Sequence, residues 1–490
     1  MIKIIKALVV LLIILVVLVL TIGANYYDDK QFHPSKTITP VKLNEGEVIE
    51  RLAQAIRIPT VSNDDPSLFN AEPFVQFSDF LTQNFPLVTA NAQRTLINDY
   101  SIIYKFEGTN AALKPILFMG HADVVSVDDI TLDKWSYPPF SGTVANGYIY
   151  GRGAIDDKST VVSLMEAMEL TLSQGKQLER TIYFAFGHDE ELGGKKGAKS
   201  IAAHFKAQGI AFEFVLDEGG VILKKGMMPN INDEVAIIGI AEKGFVNIRL
   251  IVEQPGGHSS TPPENTGPGV LAQAIVKLEN SPFPTNLSFT NMTFEKIGFY
   301  ADFGAKVAMA NQWLTGPIIE KVLLGNSKTA ASIRTTTAVT MLSGSSKSNV
   351  LPTMSTAVVN FRIMPGETFE SVKAYVEKVI DDPRVQLEVF MANNPSAVST
   401  TESYGFKMLE HTLREFDNSI LVAPYMVQGG TDSKYFYELS DSIYRFMRVK
   451  VDHELLSGMH GIDERIPQAD YINGVQFFHE LIRKVAIEPK

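Results

Sequence analysis

Three short apolar runs constrain this chain more than any other feature. They lie in "PILFMGHADVV", "TIYFAFGHDEE" and "FEFVLDEGG", and each passes abruptly into histidine or acid. Such runs are too short for helices and do not alternate, so they belong to strands buried on both faces, as in a parallel sheet covered by helices. Helical spacing surrounds them, in "VIERLAQAIRI" and in "VVSLMEAMELTLSQG". The predicted fold class is therefore α/β, with a central, mostly parallel sheet and helices on both faces. Open sheets of this kind bind ligands at the carboxyl ends of their strands. The polar tails put His121, Asp123, Glu190, Glu191 and Asp217 at those ends.

A chain of 490 residues exceeds one ordinary core. Between 247 and 393 the texture changes: "VNIRLIVEQPGGHSS", "TAVVNFRIMP" and "VQLEVFMA" read as antiparallel strands, "GVLAQAIVKLE" and "ESVKAYVEKVID" as helices. That composition predicts a smaller inserted α+β unit of the lid or dimerisation type, splitting a catalytic domain into 45–246 and 394–490. A further helical stretch, Ser281 to Ser332, is expected inside the insertion, where it would shape a pocket or pack. Residues 25–44 are polar, contain Pro34 and Pro40, and read as a linker.

The first 24 residues are a membrane anchor or signal. Lys3 and Lys6 precede an uncharged run from Ala7 to Ala24, and Asp28 and Asp29 follow it. Those 18 residues suffice to span a bilayer. The lysines place the amino end in the cytoplasm and the catalytic domain outside, periplasmic or extracellular. The run is long for a signal-peptide core and no clean A-x-A site follows, which favours an uncleaved anchor; cleavage would make the protein secreted.

Lys and Arg total 44 against 55 Asp and Glu, a net charge of -11, so a nucleic-acid surface is not expected. The absence of cysteine excludes disulfides, thiolate metal sites and a cysteine nucleophile. Any metal is held by His, Asp or Glu.

In "YGRGAIDDKSTV", Asp156 and Asp157 stand side by side just before a helix. Taken alone they read as a helix cap. Together with the acids at the strand ends they make a set of carboxylates too costly to gather without a cation. His460, in the Gly-flanked "SGMHGIDERIP", adds a second imidazole.

The ordered series "GHADVV", "GRGAIDDK", "DEELGG", "LDEGG", "GGHSS", "SNVLP", "NFRIMPGE", "GGTDS" and "HGIDER" resembles the dizinc aminoacylase and carboxypeptidase metallohydrolases. It is most similar to the branch holding carboxypeptidase S and the N-fatty-acyl-amino-acid synthase/hydrolases, from about Glu45 onward. The resemblance implies that Asp156 bridges two zinc ions, with His121 and Asp217 on one and Glu191 and His460 on the other, and that Asp157 follows Asp156 across a cis peptide bond. It implies Glu190 as general base and Asp123 as the carboxylate orienting a ligand histidine. It further implies that His258 stabilises the oxyanion, that Asn349 donates to substrate, and that Arg362 pairs with the substrate carboxylate beside the backbone of Gly430. For Arg362 a strand-surface ion pair is the plain alternative. Carboxylate and imidazole sites also accept cobalt or manganese; zinc is what the resemblance implies.

The expected activity is hydrolysis of the amide bond of an N-acyl amino acid, including fatty-acyl ones, or of a small peptide with a free carboxylate. A Gly-X type carboxypeptidase or dipeptidase is the alternative within the class. A non-catalytic, membrane-anchored binding ectodomain is the alternative outside it, and the intact set of acids and histidines argues against that. The sequence does not set the oligomeric state.

Overall fold

The computed structural model describes residues 2–63 and 65–489. The three apolar runs form strands Ile116–His121, Ile182–Gly187 and Val215–Asp217, and these lie side by side and parallel, joined by Ile443–Arg445. Antiparallel strands flank these, Ser101–Phe106 beside Ile182–Gly187 and Val235–Glu242 beside Ile443–Arg445, and Leu421–Val427 pairs parallel with Val235–Glu242. Every residue of Ile116–His121 and Ile182–Gly187 is buried, as continuous apolar runs require.

The two faces of the sheet fill two cores. Phe118 and Phe184 point into one, covered by helices Glu45–Ile56, Lys158–Ser173 and Gln468–Ile482. Leu117, Met119 and Tyr183 point into the other, against helix Ala198–Ala207. Full burial of such side chains contributes about 1.5–3 kcal/mol each. With helices fixed to both faces, only the ends of the strands are left to bind ligand, and the polar tails occupy the carboxyl ends.

A second sheet runs Thr336–Ser343, Met354–Ile363, Gly244–Glu253, Gln386–Asn393, antiparallel throughout. Its Val246, Ile248, Leu250 and Val252 alternate inward against helices Gly267–Glu279 and Phe369–Ile380, building a core separate from the large one. The helical stretch after it behaves differently from expectation. Phe289, Ile297 and Ala301 enter the large core, and helix Ser288–Ile297 lies on strand Leu421–Val427. Although contiguous in sequence with the smaller unit, this stretch packs on the larger one, because its apolar residues meet the exposed flank of the main sheet.

The amino-terminal helix, Ile2–Asn25, buries Gly23 near its end and contains an 18-residue window of mean hydropathy 3.3 that is not buried in protein. It is long and apolar enough to cross a membrane. The segment read as a linker is docked along the domain. The Gln31 side chain accepts from Val422 N–H at 2.7 Å and donates to its carbonyl at 2.9 Å, and the Phe32 ring stacks on His411. Further on, Ile38 N–H donates to the Glu415 carbonyl and Val41 N–H to Gln476 Oε1.

Candidate metal centre and active site

His121 is the last residue of its strand and is buried. Its Nδ1 lies 3.0 Å from the Asp123 carbonyl oxygen, which can only accept, so Nδ1 carries the proton in the neutral ring. Nε2 lies 2.9 Å from Asp156 Oδ1, a contact that a proton on Nε2 satisfies when the ring is charged and that a cation held by both atoms satisfies when it is neutral.

Asp156 collects the rest. His460 Nε2 lies 3.0 Å from Asp156 Oδ2 and 3.2 Å from Glu191 Oε1. Donor atoms of His121, Asp156 and Glu191 all fall within 4.8 Å of one another. Glu191 Oε1 is buried with only the His460 ring beside it, and both oxygens of nearby Asp432 are buried with no hydrogen-bond partner among the described residues. Buried, unpaired carboxylate oxygens are costly unless a cation satisfies them. The donor set, imidazole nitrogen and carboxylate oxygen only, suits zinc and related divalent ions.

The electrostatics follow the same geometry. Burial alone would raise Asp156, but hydrogen bonds from His121 and His460 outweigh it and hold its carboxyl below the usual range. Hydrogen bonds to Asp156 and Glu191 push His460 up to about 10. Glu190 has no such partner, and desolvation by burial pushes its carboxyl well above the usual range.

Asp123 organises this end of the sheet. It is fully buried; its Oδ1 accepts Glu190 N–H at 3.0 Å and its Oδ2 accepts Glu191 N–H at 3.1 Å. One carboxylate thus fixes the turn carrying both glutamates. Asp157 follows Asp156 through a cis peptide bond. It occupies the cap position of helix Lys158–Ser173 but makes no side-chain cap bond; its Oδ2 accepts the His121 N–H instead, at 3.2 Å. The helix-cap reading of this pair does not describe what the side chain does.

Asp217 ends its own buried strand at the same edge of the sheet. Its Oδ1 accepts Glu218 N–H at 3.0 Å and its Oδ2 accepts Ser433 N–H at 2.8 Å, with Glu242 and Arg445 as charged neighbours. The next residue, Glu218, is buried as well: burial and then Asp156, Asp217, Asp157 and Glu190 push its carboxyl well up. Three supports were also not singled out by sequence reasoning, though each lies in or beside a quoted motif. Glu464, in "HGIDER", accepts from Arg152 Nη1 at 2.7 Å and from the N–H groups of Gly153, Ile155 and Asp156 at 3.0, 2.9 and 3.1 Å. Arg445 pairs with Glu242 at 3.0 Å, and Glu242 accepts the Thr431 N–H at 2.7 Å, holding the loop that contains Gly430. Asp432, in "GGTDS", packs so closely on Gly194 that a Cβ there would lie 1.9 Å from its Oδ1.

The remaining candidates sit on the smaller sheet and its ribbon. His258 pairs with Val350 across the short ribbon Gly257–His258 and Val350–Leu351, and Ser259 N–H donates to the Asn349 carbonyl, so His258 and Asn349 are neighbours. Both are exposed, and His258 Nδ1 contacts Ser260 Oγ at 2.7 Å. Neither touches the Asp156 cluster among the described residues. Arg362 makes no ion pair among the described residues, which removes the strand-surface pair as its explanation. It shares a cationic corner with Arg334 and Lys243. Burial pushes Lys243 down to about 8, Glu367 opposes that, and Arg362 and Arg334 add to it.

Comparison with known proteins agrees with this geometry. Residues 117–484 match the model of peptidase family M20/M25/M40. The chain is 40% identical over 445 residues to a probable carboxypeptidase S-like protein of Dictyostelium discoideum, covering 90% of this chain and 85% of that one. It is 38% identical to the N-fatty-acyl-amino acid synthase/hydrolase PM20D1 of Xenopus tropicalis, covering 89% and 85%. Among solved structures, an M20 family metallo-carboxypeptidase from Sulfolobus solfataricus superposes with TM-score 0.65 at 18% identity, over 90% of this chain and 99% of that one. Human carnosine dipeptidase 1 gives 0.61 at 15%, over 91% and 99%. With a family match across most of its length and a carboxylate–imidazole cluster at the strand ends, the chain belongs to peptidase family M20/M25/M40.

Proposed function

We propose that this chain is a dizinc hydrolase of the amide bond in N-acyl amino acids, with long acyl chains preferred and small peptides the second substrate class. The observation that carries the reading is the cluster around Asp156: two imidazoles, converging carboxylates with unpaired buried oxygens, and a neighbouring Glu190 free of any partner among the described residues. Similarity to a fatty-acyl-amino acid synthase/hydrolase favours the first substrate class; similarity to a carboxypeptidase S-like protein favours the second.

In this reading His121, Asp156, Glu191 and His460 would hold the metal pair, Asp156 lying within reach of both imidazoles. The "LDEGG" turn supplies the fifth ligand. Asp217 is the expected donor: each of its oxygens accepts one backbone N–H, which fixes the carboxylate and leaves a second lone pair on each oxygen for a metal. When bound, the metal pair supplies Lewis acidity, polarising the scissile carbonyl and making water acidic enough to attack. Glu190 takes the proton of the attacking water on its carboxylate and returns it to the departing amine. Asp123 keeps Glu190 and Glu191 in register through their N–H groups. His258 donates to the developing oxyanion, Asn349 steadies the substrate amide, and Arg362 with the backbone at Gly430 receives the free carboxylate. The amino-terminal helix holds the enzyme in the membrane with its catalytic body on the extracytoplasmic side.

Removal of metal with a chelator is expected to abolish amino-acid release, and reloading with zinc to restore it at two ions per chain by elemental analysis. Asp217→Asn is expected to lower zinc to about one ion per chain, since the amide is uncharged and keeps only one oxygen, while Glu218→Gln keeps more metal. Zinc content in Asp217→Asn equal to that of the parent chain removes Asp217 from the ligand set. For the carboxylate pocket, a charge-assisted pair contributes about 1.5–3 kcal/mol. Arg362→Ala is therefore expected to raise KM by roughly 10- to 150-fold with kcat little changed. The same variant should lose discrimination between a substrate and its carboxamide, and an unchanged preference removes Arg362 from the pocket.

A further inference from the structure

We infer that the helical stretch Phe303–Leu324 is a second membrane-contacting surface, seated in the interface of the same bilayer that the amino-terminal helix enters. This rests on the reading that the helix is retained as an anchor. Three observations place the stretch at the bilayer.

The first is depth. Gly23 abuts Val307 of helix Phe303–Ala310, and Asn311 Nδ2 donates to the Val19 carbonyl at 3.2 Å. Val19 lies five residues before the end of the apolar run, and at 1.5 Å per residue that is roughly 8 Å inside it. Amphipathic helices that lie in a membrane interface sink their apolar faces about 5–10 Å.

The second is the exposed face of the next helix, Gln312–Leu324. Leu314, Ile318 and Val322 recur every fourth residue, with Trp313 beside them. Trp313, Ile318 and Val322 are 68%, 64% and 69% exposed. Phe303, on the preceding helix, is exposed as well. An apolar stripe of this kind on an otherwise polar surface marks an interaction site. Its position beside a bilayer-spanning helix selects lipid as the occupant.

The third is the junction. Tyr26, Tyr27 and Trp313 line a single cavity of about 520 Å³ where the anchor helix ends. Tyr and Trp at that level are the residues that settle at headgroup depth. Lys306, over the ring of Phe299, and exposed Lys321 supply cations at the same level. The docked segment after the anchor, clasped by Gln31 and Val422, holds this face against the membrane and denies the domain a free swing. Gln312 of this stretch donates to Asn291 of helix Ser288–Ile297, and that helix lies on strand Leu421–Val427, whose following loop carries Gly430.

The chain has two tryptophans, Trp135 and Trp313, and Trp135 is buried. The test reconstitutes the full-length chain in phosphatidylcholine nanodiscs and compares Trp emission in ordinary and acyl-chain-brominated lipid. The expected result is a loss of emission in brominated discs that disappears in Trp313→Phe. Equal emission in the two lipids, or quenching that survives Trp313→Phe, overturns the proposal while leaving the anchor in place. A chain that does not co-elute with the discs overturns the anchor reading, and this surface with it.

Discussion

Replacing Glu190 with glutamine lowers turnover by about 10²–10⁴-fold, the range for a lost general acid–base group, while zinc content and thermal unfolding stay at parent values. The substitution removes a proton acceptor and little else. The Glu190 side chain makes no hydrogen bond among the described residues, and Asp123 holds its position through the backbone N–H, which glutamine retains. The metal donors belong to its neighbours. A Glu190→Gln protein that keeps its metal and most of its turnover assigns the proton transfer elsewhere. The comparison is made by single-turnover rates on one N-acyl amino acid, with zinc counted in the same samples.

Glu464→Ala is expected to destabilise the protein by about 3–5 kcal/mol, the cost of breaking a buried ion pair from one side. Arg152 and Glu464 are both almost completely buried. Glu464 also accepts three consecutive-loop N–H groups, including that of Asp156. Its removal leaves a buried guanidinium short of its carboxylate and frees the loop that aims the shared metal ligand. Loss of stability should therefore come with loss of metal, measured by denaturant midpoint and by zinc content. The Arg152 guanidinium lies 5.5 Å from the Trp135 ring centroid, so Trp135 emission reports the same disturbance locally. Glu464→Gln, which keeps an acceptor but not the charge, should fall between. If Glu464→Ala unfolds at the parent midpoint, the pair contributes no net stability.

The sequence reads well where burial leaves no alternative. Ile116–His121 and Ile182–Gly187 are buried at every position, and that produces an uninterrupted apolar run. Gln93–Ile97 and Thr336–Ser343 are largely exposed edge strands, so their composition carries no such signal. The candidate site was legible because parallel strands end together: three polar tails far apart in the chain converge on one rim of the sheet. What the sequence could not convey is the direction of a side chain after its strand has ended. In "LDEGG" the strand stops at Asp217 and Gly219 takes φ +113°, so only the folded turn shows that Asp217 accepts the N–H groups of Glu218 and of distant Ser433. Non-local partners are equally hidden. Gln31 completes its hydrogen bonds on Val422, and Phe289 and Ile297 join a core formed by distant parts of the chain.

The central claim, a metal-dependent amide hydrolase acting on N-acyl amino acids, is tested most directly by product release. Zinc-loaded full-length protein in detergent is offered matched glycyl dipeptides, N-acetyl amino acids and long-chain N-acyl amino acids, and freed amino acid is counted by mass spectrometry. The account predicts release that stops on chelation and is fastest from the long-chain substrates. Absence of release from every substrate by protein carrying its full complement of zinc would contradict it.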